Sequence, residues 1–224
     1  NVTANWGSTG RIAENIGSIA KNHGWESWIA YGRGSTNSES KLIRIGTDID
    51  IRLHGIGSRF LDNHGLLSRH ATKQFISNIE KIKPDIIHLH NIHGYYLNYP
   101  LLFSFLKSWG GNVVWTLHDC WAFTGHCAYY DFVNCKLWKT GCHNCPQKHS
   151  YPASFFHDRS QLNYTEKIEA FTGISNMTLV PVSNWLNNQL KESFLKDYKR
   201  ITIHNGVDTE VFNILNNYKS KSNA

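Results

Sequence analysis

Asp85-Ile86-Ile87-His88-Leu89-His90 is a short, mostly apolar run that starts directly after Pro84, where a segment of a different period has just ended. Within Ser68 to Ile82, Phe75, Ile76, Ile79 and Ile82 recur at the spacing of a helical face, and Pro84 cannot continue that helix. The six residues from Asp85 read as a buried strand. A helix that runs into a buried strand is one half of an alternating α/β unit.

The alternation extends in both directions. Upstream, Ile12, Ile16 and Ile19 give a helix over Arg11 to His23, Trp25 to Tyr31 reads as a strand closed by Gly32 and Gly34, and Leu42 to Ile45 is a second short strand. Downstream, the spacing predicts a helix over Leu101 to Ser108 stopped by Gly110-Gly111, then a strand over Asn112 to Leu117 rich in Val and Trp. Helices over Gln161 to Phe171 and Asn184 to Phe194 alternate with strands over Thr178 to Val182 and Arg200 to Ile203. Regular alternation favours an α/β fold, a Rossmann-like parallel sheet with helices on both faces, in which ligands bind beyond the carboxyl ends of the strands. Cys120 to Tyr151 is the exception. It is a Cys-, His- and aromatic-rich stretch too long for an ordinary connection, and it reads as a functional or metal-stapled insertion.

Composition narrows the class. The 224 residues are 41% hydrophobic and 18% charged, which excludes a disordered chain. No apolar run approaches the ~18 residues of a membrane-spanning helix. A net charge of +6 permits an anionic partner such as a nucleotide, a nucleic acid or a membrane face. The chain opens on Asn1 with no leader after it, so a strand ahead of the first helix is expected upstream.

Three segments carry candidate chemistry. Gly7-Ser8-Thr9-Gly10-Arg11 is a glycine-rich turn feeding a helix, where free N–H groups suit a phosphate, although it matches neither dinucleotide nor Walker spacing; Thr9 as a plain helix cap is the alternative. In His88-Leu89-His90-Asn91-Ile92-His93-Gly94, His88 and His90 share a strand face while Asn91 and His93 lie past its end, and no third ligand nearby supports a metal. His118-Asp119 ends a buried strand, so the carboxylate either orients the imidazole or caps the next turn.

Cys127, Cys135, Cys142 and Cys145 are spaced C-x7-C-x6-C-x2-C, with Cys120 left over. The two-residue gap lets both thiolates reach one tetrahedral metal, and a structural zinc, two disulfides and free thiols stand as the three explanations. Asn1-Val-Thr3, Asn163-Tyr-Thr165 and Asn176-Met-Thr178 have the form of glycosylation triplets, which would go with the oxidising option; the odd cysteine and the α/β pattern favour a reducing cytosol.

Taken together, Gly7 to Ile12, Tyr31-Gly32-Arg33-Gly34, Asp85 to Gly94, Thr116 to Cys127, Gly141-Cys142-His143-Asn144-Cys145-Pro146-Gln147, Val182 to Trp185 and His204-Asn205-Gly206-Val207-Asp208 resemble the N-terminal half of bacterial family-4 glycosyltransferases. These are the GT-B enzymes of capsule, colanic-acid-type and other surface polysaccharides. The resemblance implies an acceptor-side domain over 1–212, with 213–224 as a polar tail or the start of a linker, and a second half that holds the nucleotide sugar.

In that reading Gly7, Ser8, Thr9, Gly10 and Arg11 face the donor diphosphate, His118 is the catalytic contact to the donor sugar, and Asn91, His93 and Asp119 bind substrate. The donor is a UDP- or GDP-sugar and the acceptor a glycan or lipid-linked glycan. The implied place of action is the cytoplasm, peripheral to the inner face of the plasma membrane. Such enzymes generally retain anomeric configuration and need no catalytic metal, so zinc at Cys127, Cys135, Cys142 and Cys145 is structural. The family's Glu-x7-Glu pair belongs to the second half, and the chain alone is expected to be inactive. The alternative is a zinc-stabilised binding module for an anionic partner such as nucleic acid, which leaves the strand–helix alternation unexplained.

Overall fold

In a computed structural model the chain is described for residues 1–207 and 209; Asp208 and the polar tail lie outside the described residues. Helices α1 (Gly7–Asn22), α2 (Asp48–Leu61), α3 (Arg69–Ile82), α4 (Tyr99–Trp109), α5 (Ser160–Phe171) and α6 (Asn184–Glu192) alternate with strands. The strands are β1 (Trp28–Tyr31), β2 (Lys41–Arg44), β3 (Ile86–Leu89), β4 (Asn112–Leu117), β5 (Met177–Pro181) and β6 (Lys199–Arg200). Every pairing is parallel, in two pieces ordered β1-β2 and β3-β4-β5-β6. The α/β, Rossmann-like architecture expected from the alternation is the one found.

Local chemistry sets the helix ends. Asn98 caps α4 by accepting from the Leu101 N–H at 3.0 Å, with a proline in its first turn, and Gly110 closes it at φ 71°, where glycine avoids a Cβ clash. Ser183 caps α6 through Leu186 N–H at 3.1 Å. The β3-β4-β5-β6 ladder continues past β6, since Ile201 and Ile203 N–H groups donate to Leu179 and Pro181 carbonyls. Phe103, Trp115 and Phe171 interlock at ring distances of 4.5 to 5.3 Å and fill the space between β4, α4 and α5.

Two features depart from the sequence reading. Helix α1 begins at Gly7, so Gly7 to Gly10 form its first turn and no separate loop precedes it. Thr9 is not the cap; Trp6 holds that position and offers no side-chain bond. Gly10 is there for packing, because a Cβ would meet Thr3 Oγ1 at 2.5 Å. The second is α2, whose first residues do not announce it: Ile49, Ile51 and Leu53 alternate with charged residues, like a strand, and the helical spacing of Ile49, Leu53, Ile56 and Phe60 lies on the face that stays exposed. A capping box between Thr47 and Asp50 starts it all the same.

Asn1–Ala4 runs beside the exit of β1, with Gly32 and Arg33 N–H groups donating to Val2 O and a parallel bridge from Ala4 to Ser35. A cavity of about 270 Å³ lies between β1 and β3, lined by residues such as Ile29, Ile86 and Leu89. The Cys-rich stretch forms three 3-10 turns, Trp121–Phe123, Asp131–Val133 and Leu137–Lys139. It is anchored by the buried Lys167, whose Nζ donates to Trp121 O and Thr124 O at 2.6 and 2.9 Å and lies 3.5 Å over the Trp121 ring. No helix among the described residues is long and apolar enough to cross a membrane.

Candidate functional site

Strands β3 and β4 pair in register, His88 opposite Val114 and Leu89 opposite Trp115, so their carboxyl ends deliver Asn91–Gly94 and His118-Asp119 to the same place. His90, Asn91, His93, His118, Asp119 and Trp121 line a cleft of about 10 Å³ there. A fold that binds ligands beyond its strand ends thus has a cluster of polar side chains where a ligand is expected.

The centre of this group is His93 and Asp119, joined Nε2 to Oδ2 at 2.9 Å. Asp119 Oδ1 accepts from Trp121 N–H at 2.9 Å, so both carboxylate oxygens are engaged. Burial would push the Asp119 carboxyl up, but His93, the Trp121 N–H and His118 outweigh it and hold the group below its ordinary value. With His93 donating through Nε2, its Nδ1 accepts from Tyr151 OH at 3.2 Å. His118 is half-buried, and its Nε2 lies 3.2 Å from His90 Nδ1. Burial lowers His118, with Asp119 opposing. His88, whose ring lies 4.3 Å from that of His90, bonds to Thr116 Oγ1 at 2.8 Å; the two do share a face, as strand spacing predicts.

Sequence reasoning missed three members of this group. His64 is buried against His93, Tyr95, Trp121 and Tyr151 at ring distances of 4.8 to 6.0 Å, and neither ring nitrogen has a hydrogen-bond partner among the described residues. Burial holds it neutral, well below the ordinary histidine value. His64, Tyr95 and Tyr151 come from a turn, a post-strand loop and the end of the insertion, and no motif spacing connects them. In the Gly7–Arg11 turn, Gly7, Ser8 and Arg11 are exposed, and no hydrogen bond among the described residues joins the turn to His93, His118 or Asp119. Its first-turn N–H groups lack a side-chain cap, which leaves them open to an anion.

The four cysteines of the insertion do converge. Cys127, Cys135, Cys142 and Cys145 line one cavity of about 10 Å³, all unbridged. Gly125 N–H donates to Cys142 Sγ at 3.1 Å. Cys145 is held down to about 7, chiefly by a hydrogen bond from Cys127, while Cys127 is raised. As the side chains stand, no three Cys, His, Asp or Glu among the described residues are arranged to hold a metal ion. A set of four thiols is of the kind that suits zinc. Of the glycosylation-type triplets, the one at Asn163 is closed in the folded chain: Asn163 is buried and donates to Asp62 O at 2.7 Å.

The family profile described as Glycosyltransferase Family 4 matches residues 10–211. The chain belongs to glycosyltransferase family 4. One relative, named as a colanic acid biosynthesis glycosyl transferase, WcaC, of Escherichia coli (strain K12), is 40% identical over 74 residues. That stretch is 31% of this chain and 18% of the relative's length. No solved structure matches the chain significantly.

Proposed function

We propose that this chain is the acceptor-side, N-terminal half of a retaining GT-B glycosyltransferase. It moves a sugar from a UDP- or GDP-sugar to a glycan or lipid-linked glycan during colanic-acid- or capsule-type synthesis at the cytoplasmic membrane face. The observation that supports this most is the convergence of His93, Asp119, His118 and His90 at the carboxyl ends of β3 and β4.

Transfer from a nucleotide sugar develops positive charge at the sugar carbon and negative charge on the leaving diphosphate. Positioning and electrostatics therefore count for more than proton transfer. His118, beside the Asp119 carboxylate, donates a hydrogen bond to a donor-sugar hydroxyl. His93, fixed between Asp119 and Tyr151, and Asn91 orient the acceptor. The open N–H groups at the start of α1 face the diphosphate across the interdomain cleft. Nucleobase and diphosphate charges are met by the second half.

The four insertion thiols hold a structural zinc in this reading. A four-thiolate centre carries net negative charge, and the buried Lys167, which has no carboxylate within ion-pair distance among the described residues, offsets it.

The complete enzyme, assayed against a panel of UDP- and GDP-sugars with lipid-linked acceptors, should transfer one sugar with retention. The 224-residue chain alone should bind nucleotide sugars no tighter than about millimolar, near 4 kcal/mol. Micromolar donor binding or turnover by this chain alone would overturn the division of labour between the halves.

A further inference from the structure

Helix α5 buries one face, made of Ser160, Asn163, Tyr164, Lys167, Ala170 and Phe171. Lys167 is 1% exposed and has no carboxylate within ion-pair distance among the described residues. A buried, unpaired ammonium is costly, and an apolar side chain of similar length would fill the space without that cost. What the ammonium adds is a set of contacts that converge on the first turn after β4. Its Nζ donates to Trp121 O at 2.6 Å and to Thr124 O at 2.9 Å, and it lies 3.5 Å from the centre of the Trp121 ring.

Trp121 carries this restraint on to the candidate site. Its backbone N–H donates to Asp119 Oδ1 at 2.9 Å, and its ring lies 5.0 Å from that of His93 and 5.5 Å from that of His64. Asp119 Oδ2 in turn accepts from His93 Nε2 at 2.9 Å. Trp121 is as buried as Lys167, and its ring also meets Tyr99 at 5.7 Å and Phe171 at 6.1 Å, so it cannot turn without disturbing a packed core.

We propose that Lys167 is a positioning residue for the His93–Asp119 pair, acting through Trp121. By holding the Trp121 carbonyl and ring, the ammonium fixes the direction of the Trp121 N–H, and that N–H fixes the carboxylate against which His93 is set. Another buried donor on the same face of α5 supplies the comparison: Tyr164 OH donates to Trp138 O at 2.9 Å, so it grips the insertion through Trp138 instead of Trp121. The consequence for sugar transfer rests on the glycosyltransferase reading above; the positioning itself does not.

The test is hydrogen exchange at His93 Nε2–H and Trp121 N–H, read by heteronuclear NMR of the full chain with no sugar present, with His93→Gln to assign the ring signal. Lys167→Met fills the space without the charge and should speed exchange at both protons by about 10-fold or more, the scale of one lost hydrogen bond to a charged group. Tyr164→Phe also takes a buried donor from an insertion carbonyl, and should leave both rates within about 2-fold. Circular dichroism checks the fold of each variant. The unsubstituted chain gives a second reading that needs no variant: the Lys167 Nζ, Trp121 N–H and His93 Nε2–H protons should share one opening event, with protection equal within about 3-fold. Unchanged exchange at His93 in a folded Lys167→Met chain overturns the proposal, as does equal acceleration by Tyr164→Phe. So does a His93 proton that opens independently of Lys167 in the unsubstituted chain. In the complete enzyme Lys167→Met should lower kcat/KM for the acceptor by roughly 10- to 100-fold, the scale of a misplaced contact, and leave the donor KM unchanged. An unsubstituted enzyme that transfers no sugar counts against the glycosyltransferase reading alone, because the exchange measurement needs none.

Discussion

His90 Nδ1 and His118 Nε2 stand 3.2 Å apart across the exits of β3 and β4, with their ring planes within 20°. One proton lies between them, so one ring donates and the other accepts. Burial lowers both, His90 to about 2, which keeps the pair neutral near pH 7. Which ring donates sets the tautomer of both, and His118 presents a donor at Nδ1 when His90 Nδ1 is the one that donates.

Replacing His118 by Ala in the complete enzyme should lower turnover by roughly 10- to 1000-fold, the scale of one lost transition-state donor. The fold should survive, because the side chain is only half-buried. Unchanged transfer kinetics in a folded variant would reduce His118 to a packing residue.

Stability should fall as pH drops below about 6.5. Burial depresses His54 and His88 to about 4, and His64 and His90 further. The unfolded chain takes up protons on these groups near pH 6.5 while the folded chain does not, so acid favours unfolding and the lost stability is regained above that pH. Each group contributes about 1.4 kcal/mol per pH unit in that window, and four together give a loss on the order of 3–5 kcal/mol between pH 7 and 5.5. His126 has the opposite sign: its raised value adds stability below about pH 6.5 that is lost as pH rises through it. Urea midpoints across this range are the measurement, and a flat or acid-stabilised profile contradicts the argument.

Asp62 closes α2 in the left-handed region at φ 51° and accepts from His126 Nδ1 at 2.6 Å and Arg159 N–H at 2.7 Å. The His126 and Asp62 side chains are both buried. Asp62→Ala leaves His126 and a backbone N–H without their partner and should cost about 3–5 kcal/mol. Asp62→Asn, which keeps an acceptor and tolerates the backbone conformation, should cost clearly less. Equal losses for the two variants in chemical unfolding would show that the charge, not the shape or a neutral acceptor, is what this position supplies.

Elemental analysis of protein purified without added metal should find close to one zinc per chain, and chelation should loosen the segment from Cys127 to Cys145 while the sheet stays folded. Hydrogen exchange localises that change. Zinc below about a tenth of an equivalent, with the thiols titrating as free, removes the metal from the reading. Two disulfides found by mass spectrometry would remove it equally.

The strand–helix alternation, the strand at Asp85 to His90 and the shared face of His88 and His90 were all legible in the sequence. Period and punctuation are local properties: Pro84 stops α3 and Gly110 stops α4 whatever lies around them. The meeting of Asn91–Gly94 with His118-Asp119 was legible in outline, because parallel strands end on the same side of a sheet. Only the tertiary structure decided that His90 faces His118, that Tyr151 holds the far side of His93, and that His64 fills the space behind them. Those contacts join residues with no fixed spacing between them. Helix α2 shows the same divide. Apolar periodicity marks a buried face, and α2 turns its apolar stripe outward and its His54 and Ser58 inward, where His54 bonds to Ser68 Oγ and Gly65 N–H and Ser58 to the His54 carbonyl. Which face of such a helix is covered depends on the partners it meets in space, and those its own sequence does not encode.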